Sequence, residues 1–429
     1  MNSFANAVKN VQLETRTANG MKTFDSSKND LVDLFFMIGA SRGKDLSVPF
    51  TKALKEDELL ALRMLMWARD VRGGAGEREV VRKVLVHLEK TYPKALDRIL
   101  PHLSEFGRWD DLLVFQSKEF KTKAYTLIGN ALREKNGLAA KWMPRKGTIA
   151  REIREFFGMS PKFYRKSLVS LTKVVEQNMC SGDWSNIEYS HVPSLAAARY
   201  QKAFNKHDPE GYAKYKAKLT TGEAKVNAGA VYPYDVIKSR RFGGDDTVIQ
   251  AQWDALPCYI GDELVLPVCD VSGSMGSPMK CGLTYAEAAA AMAMVAMRTE
   301  DACIPMGFDS KFKALPLSRR MRLDTVLQHT QSRTFGRTDC AQPMLHALEF
   351  GLKVDAFVVY TDCETWYGNI HPAQALRRYR ERTGIDAKLV VMGMAGNRFT
   401  IADPTDRGML DVVGFDASAP VAVETFLRG

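Results

Sequence analysis

The feature that most constrains the fold is a change in the hydrophobic pattern near residue 255. Up to about residue 240, apolar residues recur every three or four positions, as at Leu31, Leu34 and Ile38, which predicts amphipathic helices. Beyond residue 255, short apolar runs alternate with amphipathic segments, the runs being 264–269, 302–308, 356–360 and 389–392. Apolar strands separated by helices predict a parallel sheet covered on both faces. The sequence therefore predicts a helical part followed by a doubly wound α/β domain.

Breaks in the pattern suggest how each part is organised. A Gly-rich turn at 72–76 and the prolines Pro93, Pro144 and Pro161 cut the first part into segments of helix-pair size. Such pairs predict an α-solenoid of HEAT-like type or another irregular helical array, although no fixed repeat period is evident. Residues 239–250 have the composition of a linker. We predict a helical module at 1–245 and an α/β domain at 255–429.

The positive charge of the chain lies in its first part. Residues 1–260 carry 42 Lys and Arg against 30 Asp and Glu, whereas residues 261–429 carry 18 against 20. The commonest use of a basic surface is to neutralise phosphate, so we expect nucleic acid as the first partner and a membrane surface as the second. A solvated surface without a partner is the alternative.

Other features favour a cytoplasmic protein without a membrane segment. The longest nearly apolar stretch, 288–297, is about half the length of a membrane-spanning helix. The N terminus shows no secretory signal pattern. The seven cysteines include no C-x-x-C pair and lie mostly in apolar runs, which favours reduced, buried thiols over disulfides or zinc ligands.

A group of oxygen-bearing side chains predicts a cation site. Asp270, Ser272 and Ser274 follow the first buried strand at alternate positions, and ligands of open α/β sheets bind beyond the carboxyl ends of the strands. Thr338, which starts a helix, and Asp362, which ends the next buried strand, add a hydroxyl and a second carboxylate. Oxygen ligands of this kind suit Mg²⁺ or Mn²⁺. An ordinary turn around Asp270 is the alternative.

Three neighbours of this group have open or different roles. Asp339 and Glu364 are interpreted either as groups that support the cation ligands or as surface acids. His371 precedes Pro372 and is predicted to cap a helix rather than to bind a metal.

Longer runs of sequence carry a family resemblance. The five predicted cation ligands resemble the metal-ion-dependent adhesion site of von Willebrand factor A domains. The surrounding runs, 336–340, 360–366, 371–373 and 400–411, resemble the C-terminal domain of the Ro autoantigen and its bacterial relatives. In the first part, the runs 107–112 and 232–234 are similar to motifs of TROVE-like proteins.

This resemblance implies an RNA-binding protein. In the family, a TROVE module of helical repeats forms a ring that binds Y RNAs and the ends of misfolded or structured RNAs, and the A domain closes the ring. By resemblance, the five ligands hold the ion directly or through water, and its open position takes an acidic group from a protein partner. The helical part is short for a complete ring, so the sequence leaves ring closure open.

The candidate RNA contacts are basic residues near aromatic residues or at helix breaks. Lys and Arg neutralise phosphate, and Trp or Tyr can stack on unpaired bases. For any one of these residues, a salt bridge or a solvated helix face is the alternative. The predicted set is Arg72, Arg78, Arg108, Lys141, Arg145, Lys146, Arg165, Lys166 and Lys173.

The sequence argues against most enzyme classes. It has no G-x-S-x-G elbow, no Walker A loop with a Lys-Ser or Lys-Thr pair, and no second Asp of a haloacid-dehalogenase-type phosphatase beside Asp270. We therefore predict a protein that is not an enzyme. Two alternatives remain: a protein-protein adaptor that binds a partner carboxylate at the metal, and a metal-dependent nuclease.

Overall fold

The structure is a computed structural model in which the first part of the chain is helical and the second contains a central sheet. It describes residues 14–16, 22–39, 45–70, 74–172, 174–227, 231–256, 264–279, 283–297, 305–309, 311–318, 320–331, 337–363, 365, 367–394, 399–413 and 419–428. In these ranges, no helix combines the length and the apolar character that crossing a membrane requires.

The first part begins with a run of short helices. They are α1 (Asp30–Gly39), α2 (Ser47–Glu56), α3 (Glu58–Arg69), α4 (Glu79–Thr91), α5 (Pro93–Ile99), α6 (Leu103–Phe106), α7 (Lys118–Arg133), α8 (Gly137–Trp142), α9 (Thr148–Phe156), α10 (Pro161–Ser170) and α11 (Val174–Ser181). Side-chain caps fix several starts: Asp57, Ser117 and Ser160 each accept a backbone N–H of the following turn. Buried side chains from α1 to α10 form one apolar core. The predicted helical character is confirmed, and the HEAT-like repeat class stays a prediction.

A second group of helices follows and packs with the C-terminal sheet. It comprises α12 (Ser194–Arg199), α13 (Gln201–His207), α14 (Pro209–Thr221), α15 (Pro233–Arg241) and α16 (Asp246–Asp254). Their buried residues share a core cluster with residues as far along the chain as Leu427.

The interpretation of residues 239–250 as a linker is wrong. These residues belong to α15, α16 and the turn between them, and the Asp245 side chain caps α16 by accepting from the backbone N–H groups of Thr247 and Val248. Further along α16, Trp253 is buried and its Nε1 donates to the Met321 carbonyl at 3.2 Å. Residues 243–246 therefore form the turn between two packed helices and the cap of the second helix.

The C-terminal part contains a six-stranded sheet. Its strands are β3 (Val265–Asp270), β4 (Met306–Phe308), β5 (Phe312–Ala314), β6 (Ala356–Thr361), β7 (Lys388–Gly393) and β9 (Met409–Val413), in the order β5-β4-β3-β6-β7-β9. All neighbours are parallel except β4 and β5. The four predicted strands lie in this sheet, and the predicted doubly wound fold is confirmed.

Helices cover both faces of this sheet. They are α17 (Tyr285–Met297), α18 (Leu323–Gln331), α19 (Gln342–Glu349), α20 (Pro372–Thr383) and α21 (Ala419–Arg428). Along β6, Val358 and Tyr360 face the cluster that includes α17, whereas Phe357 and Val359 face the cluster that includes α20. This alternation explains why the strand is apolar throughout.

A small three-stranded sheet joins the N-terminal strands to the C-terminal part of the chain. Strand β1 (Glu14–Arg16) pairs with β2 (Lys22–Asp25), and β2 pairs antiparallel with β8 (Phe399–Thr400). Close by, Val32 and Phe36 of α1 pack against Val413, the last residue of β9. The sequence patterns did not predict this contact.

Candidate metal centre and basic surface

The paired ends of β3 and β6 bring the two predicted carboxylates to one edge of the sheet. Cys269 pairs with Tyr360, so that Asp270 and Thr361 are the next residues of the two strands and Asp362 follows directly. Thr361 Oγ1 donates to Asp270 Oδ2 at 2.7 Å. Asp270 and Asp362 are both buried.

A tight turn after β3 positions the two serines. The Ser272 backbone N–H donates to Asp270 Oδ1 at 2.8 Å, and the Oγ atoms of Ser272 and Ser274 lie 3.3 Å apart. Ser272 is buried, whereas Ser274 is exposed. The group therefore meets solvent at Ser274.

Thr338 is held beside this edge by backbone hydrogen bonds. The carbonyl of Thr338 accepts from the Tyr367 N–H at 3.1 Å, and the next residue, Asp339, donates its N–H to the Asp309 carbonyl at 3.2 Å. Asp309 follows β4, the strand next to β3. Buried Thr338 is thus tied to the ends of the same strands.

The backbone after Asp362 is strained. Cys363 has φ 67°, which is uncommon for a residue other than glycine, and its N–H donates to Thr361 Oγ1 at 3.2 Å. Strain of this kind is typical of functional turns. Here it accompanies the turn that carries the second carboxylate.

The electrostatics of this group favour a cation. Burial, followed by the nearby charge of Asp362, raises the pKa of Asp270 to about 7. A divalent cation would offset the repulsion between these carboxylates, and a donor set of carboxylate and hydroxyl oxygens suits Mg²⁺ or Mn²⁺. Within the described ranges, no three His, Cys, Asp or Glu side chains form a group that could bind a metal. The predicted ligands are a different set, because three of the five are hydroxyls.

Among the neighbours of this group, Asp339 has a structural role. Asp339 is buried and accepts hydrogen bonds from Ala341 N–H at 3.1 Å and Gln342 Nε2 at 3.0 Å, so it is not a surface acid. Gly368, at φ +92°, lies so close to this carboxylate that a Cβ would be 2.6 Å from Asp339 Oδ2. Glu364 lies outside the described residues.

His371 confirms its predicted role. Its side chain caps α20, with Nδ1 accepting from Ala373 N–H at 3.3 Å. Burial lowers the pKa of this imidazole to about 4.

Two residues of the metal edge were missed by the sequence analysis. Thr361 bonds Asp270 directly, and buried Asp309 accepts from the Lys311 N–H through Oδ1 at 2.7 Å. The same rule that found Asp270 and Asp362, a polar residue at the end of an apolar strand, applies to both.

Three of the predicted RNA contacts have partners within the protein. Arg78 pairs with Asp110 at 2.6 Å, and Lys141 pairs with Glu176. Arg108 lies over the Trp142 ring, 4.3 Å from its centroid, and burial together with the charge of Arg69 lowers its pKa. Arg72 and Lys173 lie outside the described residues.

The remaining predicted contacts, with one additional lysine, lie on α10 and in the loop that is hydrogen-bonded to it. These residues, which we name the basic strip, are all exposed: Arg145, Lys146, Lys162, Arg165 and Lys166. Arg145 and Lys146 lie in the loop before α9, and the other three lie on α10. Tyr164 of α10 donates through its Oη to the Pro144 carbonyl at 3.1 Å, which joins the helix to that loop. No strip residue has an ion-pair partner in the described part of the chain, although Arg165 Nε donates to the Pro161 carbonyl at 3.2 Å.

The exposed aromatic residue beside this strip is a phenylalanine, whereas the sequence pattern favoured Trp or Tyr as the stacking residue. Tyr164 is buried, and burial raises its pKa to about 12. Its neighbour Phe163 is 58% exposed. The helical period places residues 163 and 164 on different faces, but a single sequence did not show which face is buried.

Comparisons with known proteins relate both parts of the chain to families. Residues 265–427 match the family described as the Ro60 vWA domain, and residues 17–124 and 121–262 match a family described as a domain of unknown function, DUF2828. The latter matches extend over more than half of the chain.

Curated relatives are similar over parts of their length. An RNA-binding protein RO60 of Deinococcus radiodurans is 41% identical over 233 residues, which cover 49% of this chain and 43% of that protein. The RNA-binding protein RO60 of Caenorhabditis elegans is 43% identical over 162 residues, covering 37% of this chain and 25% of that protein. An uncharacterized mimivirus protein is 27% identical over 328 residues, 62% of this chain and 57% of that protein. The chain therefore matches less than half the length of either RO60 protein.

A solved structure extends the similarity to nearly the whole chain. The crystal structure of the Deinococcus radiodurans RO (RSR) protein aligns with a TM-score of 0.54 at 26% identity, and the alignment covers 94% of this chain and 100% of that one. The fold, the domain matches and the sequence identity agree. The RO60 relatives and the Deinococcus structure support a Ro/TROVE protein; the chain belongs to the family described as DUF2828, whose matches cover more than half of it, and it contains a Ro60 von Willebrand factor A domain at residues 265–427.

Proposed function

We propose that this chain is a non-enzymatic RNA-binding protein that contacts RNA through the basic strip. The observation that carries the proposal is a surface of five exposed cations without ion-pair partners among the described residues. The names of the two RO60 relatives support RNA as the ligand. Phosphate contacts are the usual purpose of such a surface.

Few acidic residues lie near the strip along the sequence. Between residues 135 and 175, the only acidic residues are Glu152 and Glu155. Glu152 is paired with Lys121 at 2.9 Å and accepts from Tyr125 Oη at 3.1 Å, while Glu155 lies 4.0 Å from Arg151. The strip therefore keeps its positive charge toward solvent, where phosphate groups could reach it.

The proposed RNA class follows the family resemblance. We propose small non-coding RNA of the Y-like kind, or misfolded or structured RNA with an unpaired end. We also propose that the protein is located in the cytoplasm, where it could meet such RNAs.

The metal centre is proposed to be a second, protein-binding site. Asp270, Ser272, Ser274, Thr338 and Asp362 would hold Mg²⁺ or Mn²⁺, directly or through water. The bound ion would supply positive charge for the carboxylate of a partner protein. The exposure of Ser274, in a group whose other members are buried, supports access from that side.

Charge-neutral variants test the RNA proposal. In the full chain, Lys162, Arg165 and Lys166 are each changed to Gln, and binding to a structured RNA with a single-stranded end is measured at 100 mM salt. The matched control changes three exposed lysines of another region, Lys214, Lys218 and Lys225, to Gln. We expect at least a tenfold loss of affinity for the strip variant and less than a threefold loss for the control. Equal losses would refute the assigned surface.

The same RNA reports on the nuclease alternative. Incubation with the protein in Mg²⁺ and in chelator should leave the labelled RNA intact in both. Cleavage that requires Mg²⁺ would overturn the non-enzymatic proposal.

The metal proposal has its own test. Retention of Mn²⁺ by the full chain should be lost in Asp270→Ala, while affinity for RNA stays within threefold of the original. Unchanged Mn²⁺ binding would refute the ligand set.

An adaptor without RNA affinity is the second candidate, favoured by the solvent-facing serine of the metal group. Purified protein that carries no nucleic acid, binds no added RNA and still binds a carboxylate-bearing partner in Mg²⁺ would select it.

A further inference from the structure

One exposed side chain beside the basic strip is apolar, so phosphate binding does not explain its exposure. Phe163 is 58% exposed, although it lies in the first turn of α10 between charged residues. Its backbone is well fixed, because Ser160 caps the helix, Pro161 starts it, and the Phe163 N–H donates to Ser160 Oγ at 3.3 Å. The Phe163 ring is therefore exposed to solvent from a backbone position that is held by the helix cap.

Three cations lie within three positions of Phe163 on its own helix. Lys162 precedes it, Arg165 follows two positions later, and Lys166, at i+3, neighbours it along the helix surface. The helix contains no acidic residue. A ring placed among several cations suits a ligand that offers both phosphates and aromatic faces.

Other exposed Phe side chains differ from Phe163 in their surroundings. Phe350 packs against the His346 ring, with centroids 4.4 Å apart, and Phe156 packs against Tyr125 and Phe157. Phe242 follows Arg240 and Arg241, which are paired with Asp324 and Glu287. Phe163 has no ring contact with another side chain in the described part of the chain.

We propose that Phe163 is a stacking platform for an unpaired nucleobase, with Lys162, Arg165 and Lys166 binding the adjacent phosphates. This inference rests on the proposed RNA-binding function and specifies its ligand as single-stranded RNA at this point. In a duplex the base faces are stacked and inaccessible, whereas in single strands every base offers a face to an aromatic side chain. The buried neighbour Tyr164 ties the platform to the loop that carries Arg145 and Lys146, so further phosphates can extend along the strip.

The test compares three probes of equal length with the full chain: a labelled 12-nucleotide oligouridine, an abasic ribose-phosphate strand, and a 12-base-pair RNA duplex. The variants are Phe163→Ala, Phe163→Trp, the strip variant with three Gln residues, and Phe350→Ala as an exposed control. We expect Phe163→Ala to weaken oligouridine binding about fivefold or more while changing abasic and duplex binding by less than twofold. Phe163→Trp should restore oligouridine affinity, and Phe350→Ala should leave all three probes unchanged.

The outcomes separate this inference from the proposed function. If the strip variant loses affinity but Phe163→Ala binds oligouridine as before, the RNA surface stands and the platform is refuted. If neither variant changes any probe, both proposals fail. Equal weakening of all probes by Phe163→Ala would indicate a structural defect and contradict stacking. Binding to vesicles with 30% anionic lipid that depends on Phe163, without a base-dependent effect on RNA, would assign the ring to a membrane surface and overturn the inference.

Discussion

A buried charge network shows how single residues hold the helical part together. Arg69 and Asp111, both buried, pair at 2.7 Å, and Asp111 also accepts from Arg82 Nε at 2.8 Å and from the Arg108 N–H at 2.9 Å. The pairing of Arg69 with Asp111 was not predicted from the sequence, because the two residues are 42 positions apart.

Removing the central carboxylate should destabilise the chain strongly. In Asp111→Ala, buried Arg69 loses its partner, and breaking a buried pair from one side costs about 3–5 kcal/mol. Chemical denaturation measures the change in the free energy of unfolding. Glu119→Ala, which removes an exposed partner of Lys123, is the control and should cost less than about 1 kcal/mol. A loss below about 1 kcal/mol for Asp111→Ala would contradict the network.

The two carboxylates of the candidate metal centre could be predicted from the sequence for a physical reason. Parallel strands end at one edge, so polar residues directly after apolar runs, such as Asp270 and Asp362, were predicted to meet. Thr361 ends the same apolar run, and only the pairing of β3 with β6 shows that its hydroxyl reaches Asp270.

At the scale of elements, strands with continuous apolar runs were predicted correctly, whereas strands that mix apolar and polar residues were missed. Buried β6 and β7 lie where their apolar runs predicted. Strand β9 was missed because it carries Asp411 among its apolar residues, and β5 was missed because it contains Lys313 and is mostly exposed. Helix α19 ends at Glu349, two residues before Gly351, which takes a positive φ of 64°.

The junction of β2 and β8 predicts a pH dependence of stability. His371 Nε2 lies 3.2 Å from Thr23 Oγ1, and the buried imidazole has its pKa lowered to about 4. The folded state therefore stays unprotonated while the unfolded chain takes up a proton, so this residue lowers stability as the pH falls from about 6.5 to 4.

A variant isolates this effect. His371→Asn keeps a capping side chain but cannot titrate, so it should lose less stability on acidification, by on the order of 2 kcal/mol. Denaturation of both proteins at pH 7 and pH 4.5 measures the difference. Parallel stability curves across that range would show that His371 is not buried in its neutral form.

For the whole molecule, one continuous apolar core joins the second helical group to the α/β sheet. One apolar cluster runs from Ile187 to Leu427, and Arg241 of α15 pairs with Glu287 of α17 at 3.2 Å. The sequence pattern showed where the helical periodicity ends, but it did not show which helices pack on the sheet. The predicted boundary between 245 and 255 stays a prediction.

Fragments test that boundary. A fragment of residues 255–429 lacks α16 and would expose the surface that Trp253 covers, whereas a fragment of residues 183–429 keeps it. We expect the longer fragment to unfold at a temperature at least about 5 °C higher, because losing a buried Trp alone costs about 3–5 kcal/mol. Equal melting temperatures would support the domain boundary drawn from the sequence.

The salt dependence of RNA binding tests the central claim most directly. Affinity of the full chain for a single-stranded RNA is measured from 50 to 300 mM salt, together with the variant in which Lys162, Arg165 and Lys166 are Gln. Each phosphate contact to a single strand contributes about 0.7 to the slope of log affinity against log salt, so five contacts predict a slope near −3.5 and the variant one near −1.5. A wild-type slope near zero, or the same slope in both proteins, would contradict RNA binding through the basic strip.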